Sequence, residues 1–215
     1  MVNYGVPQGS IIGPMLYNLY INNIDLAVPN CDIVLYADDI AITFTEPELD
    51  DLEMNCHITL TLIYQFLNNK NLHLNLNKTI FLDFSRILKN QPPSVTVDKS
   101  EIDQKTSFKY LGLHIDDDLK WQTHIKHVRQ QLSSTIFLLS QLAKYRNLTM
   151  LKLVYHGLFE SRLRYGLLVW GSANLSLLRK VFSLQKRAVR ILAGLCRSDD
   201  CEPTQFANIS VSLCI

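Results

Sequence analysis

The 215-residue chain is short of the features that mark several protein classes. Its apolar runs, such as 11–26, are broken by polar residues, here Asn18, Asn22 and Asn23. Nothing approaches the roughly 18 uninterrupted apolar residues of a membrane span, so no transmembrane helix and no membrane partner are expected. The start, Met1-Val2-Asn3-Tyr4-Gly5, has neither a basic region nor an apolar one followed by small residues. No secretory signal is therefore expected, and an intracellular, reducing setting is implied. The five cysteines, Cys31, Cys56, Cys196, Cys201 and Cys214, are odd in number and form no C-x-x-C pair, and no histidine comes after His156. This spacing argues against a tetrahedral zinc clip and for buried free thiols. Internal repeats and low-complexity tracts are absent. With 47% hydrophobic and 19% charged residues the chain is not disordered by composition, and its length allows one large domain or two small ones.

A net charge of +1 hides a strong asymmetry. Residues 1–70 carry nine acidic side chains against Lys70 alone, and 71–118 are close to neutral. Residues 119–198 then hold fourteen Lys or Arg and a single acid, Glu160, before an acidic tail at 199–215. Such a division fits a chain in which one part holds cations and another holds a polyanion, although solvated helix faces account for the charge equally well.

The first 118 residues read as α+β. Ser10 suits an N-cap, and Ile11, Ile12, Met15, Leu16, Leu19 and Tyr20 recur at helical spacing behind it, with Pro14 in the first turn. Two apolar runs, 32–36 and 40–45, flank Ala37-Asp38-Asp39 and predict a buried hairpin with two carboxylates at its tip. A helix is expected over 48–68 and a strand over 80–84, after the alternating Leu72, Leu74 and Leu76. A hairpin joining 95–97 to 108–115 is expected next. The remainder reads as helical over 121–145, 149–165 and 175–195. In the last of these Leu178, Val181, Phe182, Ala188, Val189 and Leu192 line one face, and Arg179, Lys186 and Arg190 another. A domain boundary is expected at 118/119, beside Asp116-Asp117-Asp118.

Adjacent aspartates in a turn have an ordinary explanation, since Asp favours turns. Two carboxylates held together also repel one another, and a hard divalent cation relieves this. Oxygen-only ligation suits Mg²⁺ or Mn²⁺. Tyr36-Ala37-Asp38-Asp39 resembles the YXDD box of reverse transcriptases. Gly5-Val6-Pro7-Gln8-Gly9-Ser10 with Gly13-Pro14 resembles the preceding motif B in its non-LTR retrotransposon form. Leu72-x-Leu74-Asn75-x-x-Lys78-Thr79 is similar to motif D, and Phe108-Lys109-Tyr110-Leu111-Gly112 to the primer-grip hairpin. Trp121-x-x-His124-Ile125, Tyr165-Gly166 through Trp170-Gly171, and Leu184-Gln185-Lys186-Arg187 are similar to the region beyond the palm in jockey-like elements.

The resemblance implies a partial polymerase palm over 1–118 and an all-α, thumb-like region and C-terminal extension over 119–215. It implies that Asp38 and Asp39 hold the metals, that Lys78 is an acid for the pyrophosphate leaving group, and that Gln8, Gly9, Tyr36 and Ala37 lie against template, nucleotide or primer end. Phe108, Lys109, Tyr110, Leu111 and Gly112 would position the primer. A solvated turn lysine and a core strand are the ordinary alternatives for Lys78 and for 108–112. Arg129, Lys144, Arg146, Lys152, Arg162, Arg164, Arg179, Lys186, Arg187 and Arg190 would track the phosphate backbone. The implied partners are an RNA template, a DNA primer and deoxynucleoside triphosphates, with nuclear action. The family's motif A aspartate precedes motif B, and only four residues precede Gly5. The expectation is therefore a chain that does not polymerise alone. Lacking the motif A strand, its palm edge would invite association. A non-catalytic nucleic-acid-binding remnant is the other reading.

Overall fold

The structure, a computed structural model, describes residues 7, 9–28, 31–85, 93–98, 100–145 and 147–195. Gln8, Arg146, Cys196, Cys201 and Cys214 lie outside these residues. The fold is α+β and comprises two compact units, one up to Lys105 and one from Thr106. Among the described residues no helix is long and apolar enough to cross a membrane.

In the first unit, helix α1 spans Gly13–Ile21. Ser10 does not cap it. Its N–H closes a turn onto the Pro7 carbonyl (3.1 Å), with Gly9 at φ 83°. Ile12 takes the cap position without a side-chain hydrogen bond, because Pro14 in the first turn sets where the helix starts. The expected core face of α1 is not its core face. Ile11 (97% exposed), Ile12, Met15, Leu16, Leu19 and Tyr20 face outward, whereas Gly13 and Ile21 are buried.

Strands β1 (Asp32–Tyr36) and β2 (Asp39–Thr43) form an antiparallel hairpin in which Tyr36 pairs with Asp39 and Asp32 with Thr43. The period-2 alternation sends Ile33 and Leu35 toward a core of Ile21, Ile24, Val28, Ile63 and Leu67, joined by Ile40 and Ile42. It sends Val34 (58% exposed) and Tyr36 (62%) outward. The hairpin is thus half-buried rather than the well-buried sheet expected, since among the described residues each strand pairs with the other alone.

Helix α2 (Leu49–Asn69) buries Cys56, Thr59, Leu60, Ile63 and Leu67 on one stripe. Burial pushes the Cys56 thiol up to about 11. The end of α2 is tied to α1 reciprocally: the Tyr20 hydroxyl donates to the Lys70 carbonyl and Lys70 Nζ to the Tyr20 carbonyl, both at 2.7 Å.

Beyond α2 the strand expectations need correction. Leu72, Leu74 and Leu76 alternate inward without pairing. Strand β3 is only Ile80–Phe81 and pairs in parallel with β6 (Asp103–Gln104). Strand β4 (Thr96–Val97) turns straight back onto β5 (Ser100–Glu101), with Asp98 at φ 46° in the bend. The described strands therefore make four separate pairs, three antiparallel and one parallel, rather than one antiparallel sheet.

The second unit begins with its own hairpin, β7 (Ser107–Tyr110) and β8 (Leu113–Asp116). The units divide at 105/106 and not at the expected 118/119 because Leu113 and Ile115 pack on the helical core. Helix α3 (Gln122–Leu142) presents Ile125, Val128, Leu132, Ile136 and Leu139 as one buried stripe, as its periodicity predicts. Asn147 caps α4 (Leu148–Val154) by accepting from Met150 N–H. The chain then widens into a π-helical segment, Tyr155–Glu160, that buries Tyr155 and Phe159, before α5 (Ser161–Arg164). The expected single helix is interrupted here.

Short α6 (Leu167–Trp170) leads to α7 (Leu175–Ala193), which Asn174 caps. Helix α7 ends two residues before the expected Leu195 because Gly194 at φ 68° closes a Schellman turn. In it Leu195 N–H donates to the Arg190 carbonyl at 3.0 Å. Val181, Ala188, Val189 and Leu192 of α7 join the α3 core, with Gln185 also buried.

Both tryptophans of the chain, Trp121 and Trp170, lie in this core, so intrinsic tryptophan fluorescence reports the second unit. Leu132 is 0% exposed. Leu132→Ala is expected to destabilise the unit by about 2.7–5 kcal/mol, read from a urea transition monitored by tryptophan emission.

Candidate active site and nucleic-acid surface

The β1–β2 turn contains Ala37 and Asp38, and Asp39 opens the return strand. Ala37 takes φ 51°, a left-handed region costly for a residue with a Cβ, where glycine or asparagine is the usual occupant. Tyr36, Ala37, Asp38 and Asp39 are all exposed. Tyr17 of α1 packs on the same core as the hairpin, and partial burial, with the Asp38 charge, raises its phenol. Their exposure leaves the Asp38 and Asp39 carboxylates open to solvent. Among the described residues no group of three or more His, Cys, Asp or Glu side chains is placed to hold a metal ion.

Lys78 sits in a turn closed by its own N–H onto the Asn75 carbonyl (3.0 Å), and its side chain is exposed. Among the described residues no ion pair links it to Asp38 or Asp39. Gly9 has open space where a Cβ would stand, so its positive φ, rather than crowding, is what calls for glycine there.

In the second hairpin Phe108 and Lys109 are exposed on β7, and Tyr110 is half-buried. Leu111 (φ 46°) and Gly112 (φ 83°) form the turn, both left-handed, as a tight two-residue hairpin of type I′ requires.

The expected cations differ in how free they are. Arg162 is turned inward, donating to Thr135 Oγ1 (3.1 Å) and the Gln131 carbonyl (3.5 Å). Arg164 pairs with Glu160 at 2.9 Å, and the same carboxylate bonds His156 Nδ1. Lys144 donates to Gln141 Oε1, Lys186 lies 4.6 Å over the Phe182 ring, and Lys152 is half-buried. Arg179 and Arg187 are exposed.

Two surface grooves gather the rest. One of about 500 Å³ is lined by Ser140, Ser183, Leu184, Arg187, Arg190, Ile191 and Leu195. The other, about 470 Å³, is lined by Lys126, Arg129, Gln130, Ser133 and Ser134. The Nε of Arg129 and of Arg190 are buried without a hydrogen-bond partner. Lys126 is a cation that the sequence reading missed. It lies one α-helical turn before Arg129, and that i, i+3 spacing was the available signal.

The sequence reading also assigned no role to a cluster between β8 and α3. Trp121, at φ 61°, offers α3 no side-chain cap. Asp116 Oδ2 instead accepts from Thr123 N–H at 3.2 Å, placing a negative charge at the helix N-terminus. The His114 N–H donates to His124 Nδ1 at 3.4 Å, and the His114 ring lies 4.9 Å from that of His127. His124 is 3% exposed and 5.8 Å from the Trp170 ring.

The family model described as reverse transcriptase (RNA-dependent DNA polymerase) matches residues 1–115. The chain is 26% identical over 202 residues to a probable RNA-directed DNA polymerase from transposon X-element of Drosophila melanogaster. It is 28% identical over 200 residues to the RNA-directed DNA polymerase from mobile element jockey of the same species. Each match covers 88% of this chain and 22% of the relative. A Pol polyprotein from type-1 retrotransposable element R1 of Nasonia vitripennis is 24% identical over 213 residues, covering 94% of this chain and 63% of that protein. The chain thus spans about a fifth of the length of the first two relatives, and the similarity extends past the family match into the helical unit. No solved structure matches it.

The histidine cluster predicts an acid sensitivity. Burial, with the neighbouring His114 and His127, lowers His124 from 6.5 to about 4, and burial lowers His114. Both are favoured neutral when folded, so their contribution is fully present above about pH 6.5 and is lost as pH falls toward 4. The urea midpoint of the second unit should fall over that window by tryptophan emission, and His124→Gln should flatten the slope.

Proposed function

The chain belongs to the reverse transcriptase family, and on that premise we propose that it is the metal-carboxylate, primer-contacting and thumb-like part of an RNA-directed DNA polymerase of a non-LTR retrotransposon. The observation that carries this reading is the Tyr36-Ala37-Asp38-Asp39 box standing exposed at the tip of an antiparallel hairpin. Asp38 and Asp39 would hold Mg²⁺ or Mn²⁺, which when bound stabilises the attacking and leaving oxygens of the displacement. A further carboxylate must come from outside the described residues, since among them none completes the group. In the reaction the primer 3′-hydroxyl gives up its proton to solvent, its oxygen bonds the α-phosphorus of the incoming nucleotide, and the bond from that phosphorus to the α–β bridging oxygen breaks as pyrophosphate leaves. Lys78, which makes no ion pair among the described residues, donates a proton to that leaving group. Ala37 leaves room for the primer end at the turn, and Phe108 to Gly112 seat the primer strand. RNA template, DNA primer and deoxynucleoside triphosphates are the partners on this reading, and the nucleus is the site of action. The outer edges of β1 and β2, unpaired among the described residues, would then be covered by more of the polymerase or by another copy.

The two grooves support a phosphate-tracking role for the helical unit, with Arg129, Arg187 and Arg190 as its best-placed cations. Such contacts are independent of sequence and weaken steeply with salt. The lack of a third metal ligand among the described residues favours, as a second reading, a segment that binds nucleic acid without chemistry.

Two measurements test this. The purified chain with Mg²⁺ should incorporate no deoxynucleotide on a primed RNA, whereas a polypeptide extended to include a motif A aspartate should do so and lose it on Asp38→Asn. Incorporation by the 215 residues alone would refute the need for an outside carboxylate, and failure of the extended polypeptide would favour the second reading. For primer-template binding, Arg190→Ala is expected to reduce the slope of log K against log salt by about 1, and an unchanged slope would remove Arg190 from the phosphate surface.

A further inference from the structure

The turn that would seat the primer is built from an unfavourable residue. Leu111 is held at φ 46°, a left-handed conformation that residues with a branched side chain rarely adopt. Strained positions of this type persist only when the surroundings over-determine them. Three residues far along the chain do so here. The Tyr165 hydroxyl donates to the Leu111 carbonyl at 2.5 Å. The Tyr165 ring also closes over Gly112, where a Cβ would stand 3.1 Å from Cε1. Gly166, at φ 63°, lies so close to Leu113 that a Cβ there would stand 2.6 Å from Cδ2. The Tyr165 carbonyl is in turn held by Trp170 Nε1 at 2.9 Å, and Trp170 is 1% exposed. A second anchor holds the strand behind the turn, since His114 N–H bonds His124, whose ring faces Trp170.

We propose that Tyr165, Gly166 and Trp170 form a socket that sets the pitch of the Leu111-Gly112 turn and so positions the primer strand. These are positioning residues, and their effect on the primer rests on the primer-contacting role proposed for 108–112. The tyrosine hydroxyl supplies the hydrogen bond that keeps Leu111 left-handed, the two glycines permit the close approach, and the buried indole fixes the tyrosine backbone. Tyr165 is itself 55% exposed, so little of its ring is committed to the core. That exposure fits a residue whose hydroxyl and one ring edge serve the turn.

The test compares Tyr165→Phe, which removes the hydroxyl and keeps the ring, in two backgrounds: the natural one and Leu111→Asn. Asparagine accepts the left-handed conformation and gives the turn the asparagine–glycine pair that a type I′ hairpin favours, so the tyrosine bond becomes dispensable. Two readouts are taken on the full chain. One is amide hydrogen exchange over 107–116, which needs no nucleic acid. The other is the ratio of affinities for an RNA with a recessed primer 3′ end and the same RNA unprimed. In the natural background Tyr165→Phe should speed exchange of the hairpin about tenfold and lower the affinity ratio by a similar factor. Within the Leu111→Asn background it should change neither. Unchanged exchange in the natural background, or equal acceleration in both, would overturn the socket. If exchange responds as expected while the wild-type chain shows no preference for the recessed end, the socket stands and the primer-strand reading of the hairpin falls.

Discussion

Burial of one helical stripe underlies the second unit. Ile125, Leu132, Ile136 and Leu139 on α3 are at most 1% exposed, and α7, the π-helical segment and the β7–β8 hairpin each dock on that stripe or beside it. Each fully buried aliphatic side chain contributes roughly 1.5–3 kcal/mol, so a few such positions outweigh any hydrogen bond in the unit. The polar details depend on this frame. Asp116 reaches the first turn of α3, and Tyr165 reaches Leu111, because the packed helices hold both partners in place.

The chain tolerates several left-handed residues with side chains. Ala37, Asp98, Leu111, Leu119 and Trp121 all have positive φ. Two of them, Ala37 and Leu111, are in the turns of the hairpins that carry the proposed chemistry. Asparagine or glycine would relieve either turn, so the residues present are not those that stability alone selects. Strain retained at both tips is consistent with surfaces shaped to face something other than the rest of the protein.

Charge is divided as sharply as structure. Acidic residues dominate the first unit, and most of the cations lie on the helices of the second. Within that second set the cations are not equivalent. Arg162 and Arg164 are spent on internal partners, while Arg129 and Arg190 line surface grooves. A guanidinium bonded to a carboxylate or a carbonyl has less to offer a phosphate, so the number of basic residues overstates the electrostatic surface.

Much of the molecule is legible in the sequence because local patterns suffice for it. The stripe of α3 and the extents of α2 and β1 arise from periodicity, β2 begins one residue earlier and ends two earlier than expected, and the reverse transcriptase box is carried by four adjacent residues. Features set by distant neighbours are not legible there. Nothing in the sequence near Ile11 and Leu19 says that their side of α1 faces outward, because burial depends on what lies opposite. The strand over 80–84 shrank to Ile80–Phe81 because its partner is only Asp103–Gln104. The unit boundary moved to 105/106 because β8 packs on α3. Which cations are free, which histidine is buried and which tyrosine reaches Leu111 are likewise questions about residues far apart in the chain. The sequence by itself determined the family, the stripes of α3 and α7 and the paired aspartates, since each is written in near neighbours. The tertiary structure alone decided the exposure, the pairing and the clasp on the second hairpin, since each requires two segments to meet.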